Sequence, residues 1–346
     1  MTSESRTPQS LYAQGVSPGD GTSHPHDDED ACCVCGGVQF SEAMRLTDTR
    51  FAIHDCAECG TGMLSPLPSP AELASFYIPQ YYGDSGQKFG LLTEILVRLI
   101  GNRQTQFLTR YLPPGGRVLD VGCGRGVVAS PLAAAGYTVT GLEISPDAVR
   151  GIDDRVEVVI ADSLADAPLP ADEFDLVVIW HVLEHVIDPA ATLRTAQRVL
   201  KPGGKLVVAV PNYSSWQAKV FGPAWFHLDP PRHLYHFTSD GLRTLLKNCG
   251  LHVLQSHHFS LRQNPFGWVQ SGLNRLFPGH RNRLYSYLLN EPLERGRLSS
   301  LKRACWFTAY VTGMAAVLPL SVLAAVRESG GTIHYLAESP DADDVE

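Results

Sequence analysis

One short stretch limits the folds available to this chain more than any other. Residues 117–145 read RVLDVGCGRGVVASPLAAAGYTVTGLEIS: an apolar run, three glycines at alternate positions, an Ala-rich segment and a second apolar run. Short apolar runs predict buried strands, and closely spaced glycines let the chain turn sharply from a strand into a helix. The stretch therefore predicts a β-α-β unit whose second strand ends at Glu143.

The alternation of strand and helix patterns continues to the end of the chain. Five further apolar runs predict strands over 156–160, 173–180, 205–212, 251–260 and 331–338. Helical patterns fall between them, over 188–204, where a Pro-Gly-Gly sequence closes the helix, and over 241–250. Strands that alternate with helices predict an α/β fold with a doubly wound, Rossmann-like sheet.

The glycine-rich turn and Glu143 are suited to an adenosine cofactor. The glycines would let a ligand approach backbone N–H groups at the start of a helix. An acid at the tip of the second strand can accept both ribose hydroxyls. NAD-binding folds use the same arrangement, but the spacing here is G-x-G-x-G rather than G-x-G-x-x-G, which disfavours NAD.

Taken as a set, the motifs resemble those of class I S-adenosylmethionine-dependent methyltransferases. The matching stretches are LDVGCGRG (119–126), GLEIS (141–145), ADSLADAPLPADEFDLVV (161–178), HVLEHV (181–186) and RVLKPGGKLVVAVPN (198–212). The resemblance implies a seven-stranded sheet with an antiparallel last strand and S-adenosylmethionine as cofactor. The cysteine-rich start, YIPQYYG (77–83) and LDPPRHLYHFT (228–238) look like a bacterial subgroup of small-molecule methyltransferases.

The resemblance also implies a role for each motif residue. The methionine part of the cofactor would bind at Asp120, Gly122, Cys123, Gly124 and Gly126. The ribose would bind at Glu143 and Ile144, and the adenine at Asp162 and Ser163. Trp180 and His181 would lie at the mouth, beside the sulfonium.

Four cysteines near the N-terminus have the spacing of a zinc ribbon. CCVCGG and CAECGTG each contain C-x-x-C-G, which gives Cys32 and Cys35, then Cys56 and Cys59. Two such knuckles can complete a tetrahedron around Zn²⁺ and leave no open position, so we expect a structural site over 31–64. Cys33 could replace Cys32.

The sequence HVLEH carries the candidate catalytic residues His181, Glu184 and His185. It follows the fourth predicted strand, at the carboxyl edge where such sheets bind ligands. We expect His185 or His181 to remove a proton from the acceptor, oriented by Glu184 on a shared helix face. His233, in WFHLDPPRHLYHFT (225–238), is a second base candidate, in a segment that we expect to cover the site.

Other interpretations of these residues stay open. The cluster could only pack and shape the pocket, or it could hold a divalent metal, as some quinone-pathway methyltransferases do. H-x-x-E-H is also a zinc-peptidase signature, but that site needs a long helix and a third ligand. Arg232 or His233 could contact an anionic acceptor.

An insertion separates the sixth and seventh predicted strands. Residues 261–303 contain eight Arg or Lys and two Glu, whereas the whole chain has a net charge of -8. Residues 305–326 carry no charge and are long enough to cross a bilayer. A single span would keep the seventh strand from returning to the sheet. We therefore expect a hairpin broken near Pro319, or a helix in the membrane interface that contacts anionic lipid. A buried helical cap or dimer surface is the alternative.

The predicted organisation follows from these segments. The parts are an acidic tail (1–30), a zinc ribbon (31–64), a linker with helical lead-in (65–112), a methyltransferase core (113–260), the helical insertion (261–330), the final strand (331–338) and a tail (339–346). The first 30 residues lack an apolar signal segment, so we expect a cytoplasmic protein, with peripheral contact to the inner face of the membrane.

We expect S-adenosylmethionine-dependent O- or C-methylation of a small molecule, and the insertion favours a lipid- or nucleotide-linked acceptor. The alternatives are a zinc-ribbon RNA-modifying methyltransferase and a non-catalytic cofactor-binding module. The acidic net charge argues against a nucleic-acid partner.

Overall fold

A computed structural model describes residues 31–46, 49–76, 104–288 and 300–341. The predicted tail 1–30, the YIPQYYG stretch and most of the helical lead-in lie outside these residues.

The N-terminal segment forms a small antiparallel sheet that includes a strand from the main domain. In spatial order its strands are β1 (Phe40–Arg45), β2 (Ala52–Cys56), β3 (Gly62–Ser65) and β9 (Tyr235–His236). β3 pairs with β9 through Gly62↔His236 and Met63↔Tyr235. A short helix, α1 (Pro70–Phe76), comes next in the chain. The cysteine-rich segment is thus completed by residues far away in the sequence.

The main sheet has seven strands. In chain order they are β4 (Arg117–Val121), β5 (Thr138–Glu143), β6 (Glu157–Ile160), β7 (Phe174–Trp180), β8 (Leu200–Pro211), β10 (His252–His257) and β11 (Thr332–Glu338). The spatial order is β10-β11-β8-β7-β4-β5-β6. Strands β4 to β8 are parallel, and β11 is antiparallel to both β8 and β10. The predicted doubly wound sheet with an antiparallel last strand is confirmed.

Helices connect the strands and cover the sheet. They are α2 (Ala129–Ala134), α3 (Pro189–Val199), α4 (Trp216–Phe221), α5 (Ser239–Asn248), α6 (Asn264–Leu276), α7 (Arg283–Leu288) and α8 (Ser300–Val326). The Asp188 side chain caps α3 by accepting from the Ala191 N–H at 2.8 Å. Side-chain oxygens satisfy the unpaired N–H groups of a first helical turn, which explains why α3 begins there.

One boundary differs from its prediction. The Pro-Gly-Gly sequence that should close the helix before β8 lies inside β8. Leu200 already pairs with Phe174, and the register of β7 against β8 then shifts before Leu176. Strand β8 therefore begins earlier than the apolar run over 205–212 indicates. The shift in register lets the Pro-Gly-Gly sequence lie within the strand without pairing regularly with β7.

The ribbon and the main domain share one core. Ile53 and Leu64 of the small sheet belong to the same buried cluster as Leu183 and Tyr235 of the main domain. All four side chains are at most 1% exposed. Contiguous burial of this kind means that the cysteine-rich segment is packed as part of the domain.

The apolar insertion forms one continuous helix. α8 runs through Pro319 without a break, so the predicted hairpin is wrong. A proline removes a single N–H donor, and the hydrogen bonds on both sides continue the helix. By length and composition alone, Trp306–Val326 could cross a membrane, and only 17% of its most apolar window is buried. Most of this window therefore stays accessible, while one side of the helix packs on the domain.

Candidate active site

The glycine-rich turn after β4 combines close packing with an open approach. Gly122, Gly124 and Gly126 all have positive φ angles, of 69°, 49° and 75°. A Cβ at Gly122 would lie 2.5 Å from Cγ2 of Val182, whereas a Cβ at Gly124 would meet no described atom within 4 Å. Gly122 is therefore required for packing against the HVLEH segment, and Gly124 leaves space for a ligand.

Asp120, at the end of β4, presents a carboxylate without a protein partner on one oxygen. Its side chain is 2% exposed and lines the main cavity. Among the described residues, none hydrogen-bonds its Oδ2. Burial raises the pKa of Asp120 to about 7, against a weaker stabilisation of the anion by the Ala129 backbone N–H. A buried acceptor of this kind is suited to a cationic ligand group.

Glu143, at the tip of β5, is held by backbone groups. Its Oε2 accepts from the Gly124 N–H at 2.9 Å, and its Oε1 accepts from Ile144 at 2.9 Å and Ser145 at 3.3 Å. A carboxylate offers about four acceptor positions, so capacity for a ligand hydroxyl remains. The ribose role of Glu143 and Ile144 stays a prediction, and both residues line the cavity.

The predicted adenine-binding pair lies after β6 on the exposed rim of the cavity. Asp162 and Ser163 both line it. The Ser163 hydroxyl donates to Asp166 Oδ2 at 2.6 Å and accepts from the Asp166 N–H at 3.3 Å. Ser163 is therefore engaged in its own turn, and Asp162 is the better-placed of the two for a ligand.

One cavity joins the cofactor-side motifs to the histidines. Its volume is about 1560 Å³, larger than the roughly 300–1,000 Å³ of a typical single-ligand pocket. It is lined by Cys123 of the glycine-rich turn and also by Trp180, His181 and His185. The cavity thus has room for a cofactor and a second molecule beside it.

The HVLEH segment forms a turn, so the predicted shared helix face is wrong. His181 has a φ of 55°, and α3 begins only at Pro189. His181 Nδ1 lies 3.2 Å from Glu184 Oε1, and no described residue hydrogen-bonds His181 Nε2. Because a left-handed backbone at a residue other than glycine costs about 1–3 kcal/mol, the surrounding packing must hold His181 in this position.

Glu184 is an ionised carboxylate inside the protein. It is 1% exposed. Burial raises its pKa, but the His181 hydrogen bond and the surrounding imidazoles outweigh burial and bring the pKa to about 2. In the neutral tautomer that donates from Nδ1 to Glu184, the lone pair of His181 lies on Nε2.

His185 and His233 pack against each other next to Glu184. Their rings lie 4.6 Å apart in an edge-to-face arrangement. His185 Nδ1 contacts the Arg232 carbonyl at 3.0 Å, and His233 Nδ1 contacts the His227 carbonyl at 2.8 Å. Burial lowers the pKa of His185 to about 4. His185 is therefore neutral at physiological pH and a weak base.

The described segment 225–238, which the sequence predicts to cover the site, does not line the cavity. Arg232 forms a two-pronged pair with Asp229, at 2.9 and 2.6 Å. His233 therefore packs against His185, and the Arg232 guanidinium pairs with Asp229 in the same loop.

Three cavity histidines were missed in the sequence. His257 and His258 lie at and just beyond the end of β10, and His334 lies on β11, with its ring 4.7 Å from that of Trp180. For His257 and His258 the sequence signal is the stretch SHHF after an apolar run. For His334 there is no local signal, because its place in the cavity depends on the pairing of β11 with β8.

Two groups of side chains have the spacing of metal ligands. The Sγ atoms of Cys32, Cys35, Cys56 and Cys59 all lie within 4.8 Å of one another. Cys32–Cys59 and Cys35–Cys56 are each 3.6 Å apart, close to the roughly 3.8 Å edge of a tetrahedron with Zn–S bonds of about 2.3 Å. Cys33 is outside this cluster. Ligand atoms of Glu184, His185 and His233 also lie within 4.8 Å.

The cysteine cluster is connected to the catalytic candidates through β9. The Thr238 hydroxyl donates to the Cys59 carbonyl at 2.8 Å. The Leu234 carbonyl accepts from Leu64 at 2.9 Å, and the Leu234 N–H donates to the Glu184 carbonyl at 2.8 Å. The ribbon thus supports the backbone of Glu184.

Comparisons with known proteins agree with this geometry. The profile of a family described as "Methyltransferase domain" matches residues 95–256. Residues 95–256 form a methyltransferase domain. This methyltransferase domain contains every strand of the parallel part of the sheet and all predicted cofactor-binding residues.

Two relatives share much of the methyltransferase domain. The chain is 31% identical over 164 residues to "Ubiquinone biosynthesis O-methyltransferase" of Xylella fastidiosa (strain 9a5c), over 42% of this chain and 65% of that protein. It is 36% identical over 132 residues to the protein of the same name from Xanthomonas oryzae pv. oryzae (strain PXO99A), over 36% of this chain and 55% of that protein. The chain thus spans less than two thirds of these relatives.

A solved structure gives a looser match. The S-adenosylmethionine-dependent methyltransferase of Archaeoglobus fulgidus is 18% identical, with a TM-score of 0.45, over 70% of this chain and 94% of that one. Our assignment of the fold follows from the strand order.

The residues of the methyltransferase domain fit S-adenosylmethionine. The unpartnered Asp120 oxygen suits the cofactor ammonium, and the open side of Gly124 suits its approach to the backbone. The zinc-peptidase interpretation fails, because HVLEH is a turn and not a helix.

Proposed function

We propose that the protein transfers the methyl group of S-adenosylmethionine to an oxygen of a small acceptor, with His181 as general base. The observation that carries this proposal is the His181–Glu184 pair: His181 lines the cavity, its Nδ1 contacts Glu184, and its Nε2 is buried without a partner among the described residues. The relatives named as O-methyltransferases support oxygen as the methylated atom.

Each residue has a defined task in this scheme. When bound, S-adenosylmethionine supplies an already activated methyl group. Asp120 and the Gly124 backbone hold the donor, and His181 Nε2 takes the proton of the acceptor hydroxyl. The Glu184 carboxylate keeps His181 in the required tautomer and stabilises the imidazolium that forms.

The cavity lining favours an acceptor with an apolar part. Besides His181, the cavity is lined by Ile187, Phe259, Val322 and Val326. These apolar side chains suit a lipid-linked acceptor, and Arg125 and Arg262, which also line the cavity, could contact a phosphate that links the acceptor to its lipid. Cytoplasmic localisation and the lack of a nucleic-acid partner remain predictions.

We also propose that the four clustered cysteines bind one structural Zn²⁺. Four ligands fill the tetrahedral site and leave none for a substrate. The metal would hold the ribbon against β9, and through β9 the backbone of Glu184.

The test compares two histidine variants with labelled methyl donor and a panel of phenols and catechols with and without alkyl chains. His181→Ala should lower kcat by about 10²–10⁴-fold, the usual loss on removal of a general base. His185→Ala should lower kcat less, and both should bind cofactor normally. Unchanged turnover by His181→Ala would reject the assignment of the base.

A metal-assisted reaction is the second candidate, since Glu184, His185 and His233 have ligand spacing. A metal there would lower the pKa of an acceptor hydroxyl directly. Addition of Mg²⁺ or Mn²⁺ to the zinc-containing protein, without a chelator, separates the candidates. The proposed His181 route predicts turnover that does not respond to these ions.

A further inference from the structure

The helix α8 displays an apolar stripe to the outside of the molecule. The stripe consists of Val311, Leu320, Val322, Leu323 and Val326, which are 44%, 38%, 45%, 48% and 73% exposed. At about 100° per residue they spread over the exposed half of the helix circumference, and four of them lie within its last two turns. Folded proteins rarely leave such a cluster of aliphatic side chains in water, so the stripe indicates a contact surface.

The opposite side of α8 is fixed to the domain. Tyr310 packs in a cluster with Phe266 of α6 and Leu284 of α7. A Cβ on Gly313 would lie 3.3 Å from Val269, which shows how closely α8 and α6 approach. Because one side is packed and β11 follows at once, the helix can offer its stripe to a surface but cannot span a membrane alone.

Basic residues flank the stripe. Arg327 follows it directly and is exposed, with the acid Glu328 next to it, and Lys302 and Arg303 precede the apolar segment in the sequence. Arg275, at the end of α6, is also exposed. Cations beside an apolar row in a chain of net charge -8 complement an anionic surface.

The stripe continues into the candidate active site. Val322 and Val326 are exposed and also line the cavity, together with Ala325. The apolar surface and the cavity therefore meet at the last turns of α8.

We propose that the stripe docks on an anionic phospholipid bilayer with α8 parallel to its surface, and that the acceptor enters the cavity from the bilayer. The second half of this proposal rests on the proposed function; the docking itself does not. A second copy of the chain is the alternative occupant of the stripe, and light scattering in the test separates it from a bilayer.

The test is flotation of the full chain with vesicles of phosphatidylglycerol and phosphatidylcholine, compared with phosphatidylcholine alone. We expect binding only to the anionic vesicles. The double variant Leu320→Glu/Leu323→Glu should lower the bound fraction at least about tenfold, because two charges oppose insertion of the stripe. Arg327→Gln should weaken binding about fivefold, as expected for one cation near such a surface.

Leu254→Glu is the matched control, since Leu254 is also aliphatic, 45% exposed and distant from α8 in the sequence. It should float like the unchanged protein. Circular dichroism confirms that each variant is folded. Absence of flotation, equal flotation of the double variant, or a dimer in light scattering that the double variant dissociates would each overturn the proposal. Stripe-dependent flotation without methyl transfer to any acceptor would leave docking intact and reject the proposed function.

Discussion

The charge on Asp120 has opposite effects on the stability of the fold and on cofactor binding. Its ordinary pKa is 3.8, and burial raises it to about 7 in the folded chain. The charge therefore destabilises the ligand-free protein progressively as the pH rises from about 4 to 7. The same charge is what a cofactor ammonium would pair with.

The variant Asp120→Asn separates the two effects. At pH 8 it should raise Tm, because it removes a buried charge, and weaken S-adenosylmethionine binding by about 100-fold or more. In the unchanged protein, the affinity for S-adenosylmethionine should fall as the pH drops below about 7. The reason is that Asp120 of the ligand-free protein then takes up a proton and loses the charge that pairs with the cofactor ammonium. Calorimetry from pH 5.5 to 8.5 measures both. Affinity that is independent of pH, and equal in the variant, would contradict the role of Asp120.

At the scale of single residues, the sequence predicts which strands carry the motif residues but not the backbone geometry at HVLEH. Asp120 and Glu143 lie at strand tips, as their apolar runs predict. The turn at HVLEH could not be foreseen, because it depends on Val182 packing against Gly122 and on Leu234 bonding Glu184. Both contacts are tertiary.

At the scale of elements, the ribbon and β9 form one sheet. Zinc removal should therefore disturb the catalytic candidates more than the cofactor-binding loop, which lies on β4 and β5. We expect about one zinc per chain. After chelation, turnover should fall by at least about tenfold through misplacement of Glu184, with cofactor affinity little changed.

Two cysteine variants check this prediction. Cys35→Ser should lose the metal, and Cys33→Ser, a neighbour outside the cluster, should keep it. Metal analysis and hydrogen exchange at residues 234–236 are the measurements. Retention of zinc by Cys35→Ser, or protein that never contains zinc, would refute the site.

The sequence predicted each strand of the main sheet to within a few residues except the start of β8, because each strand is a short apolar run between turns. The pairing of β3 with β9 was not predictable in this way. Two residues form β9, too few for any periodic signal, and their partner lies far back in the chain. The continuous α8 was missed because Pro319 normally marks a break.

At the scale of the whole molecule, the shared core makes the ribbon part of the folding unit. Deleting the residues before 104 would expose the apolar side chains of the main domain that pack against Ile53 and Leu64. We expect the truncated chain to aggregate or to lack a cooperative thermal transition, because the loss of large buried side chains costs several kcal/mol each. A soluble truncated protein with a sharp transition would show that the ribbon is a separate domain.

The central claim is that the glycine-rich end of the cavity binds S-adenosylmethionine. Titration calorimetry of the full chain with S-adenosylmethionine and, separately, with NAD⁺ tests it most directly. We predict saturable one-to-one binding of S-adenosylmethionine and no heat of binding from NAD⁺. Saturable binding of NAD⁺ with none of S-adenosylmethionine would contradict the account.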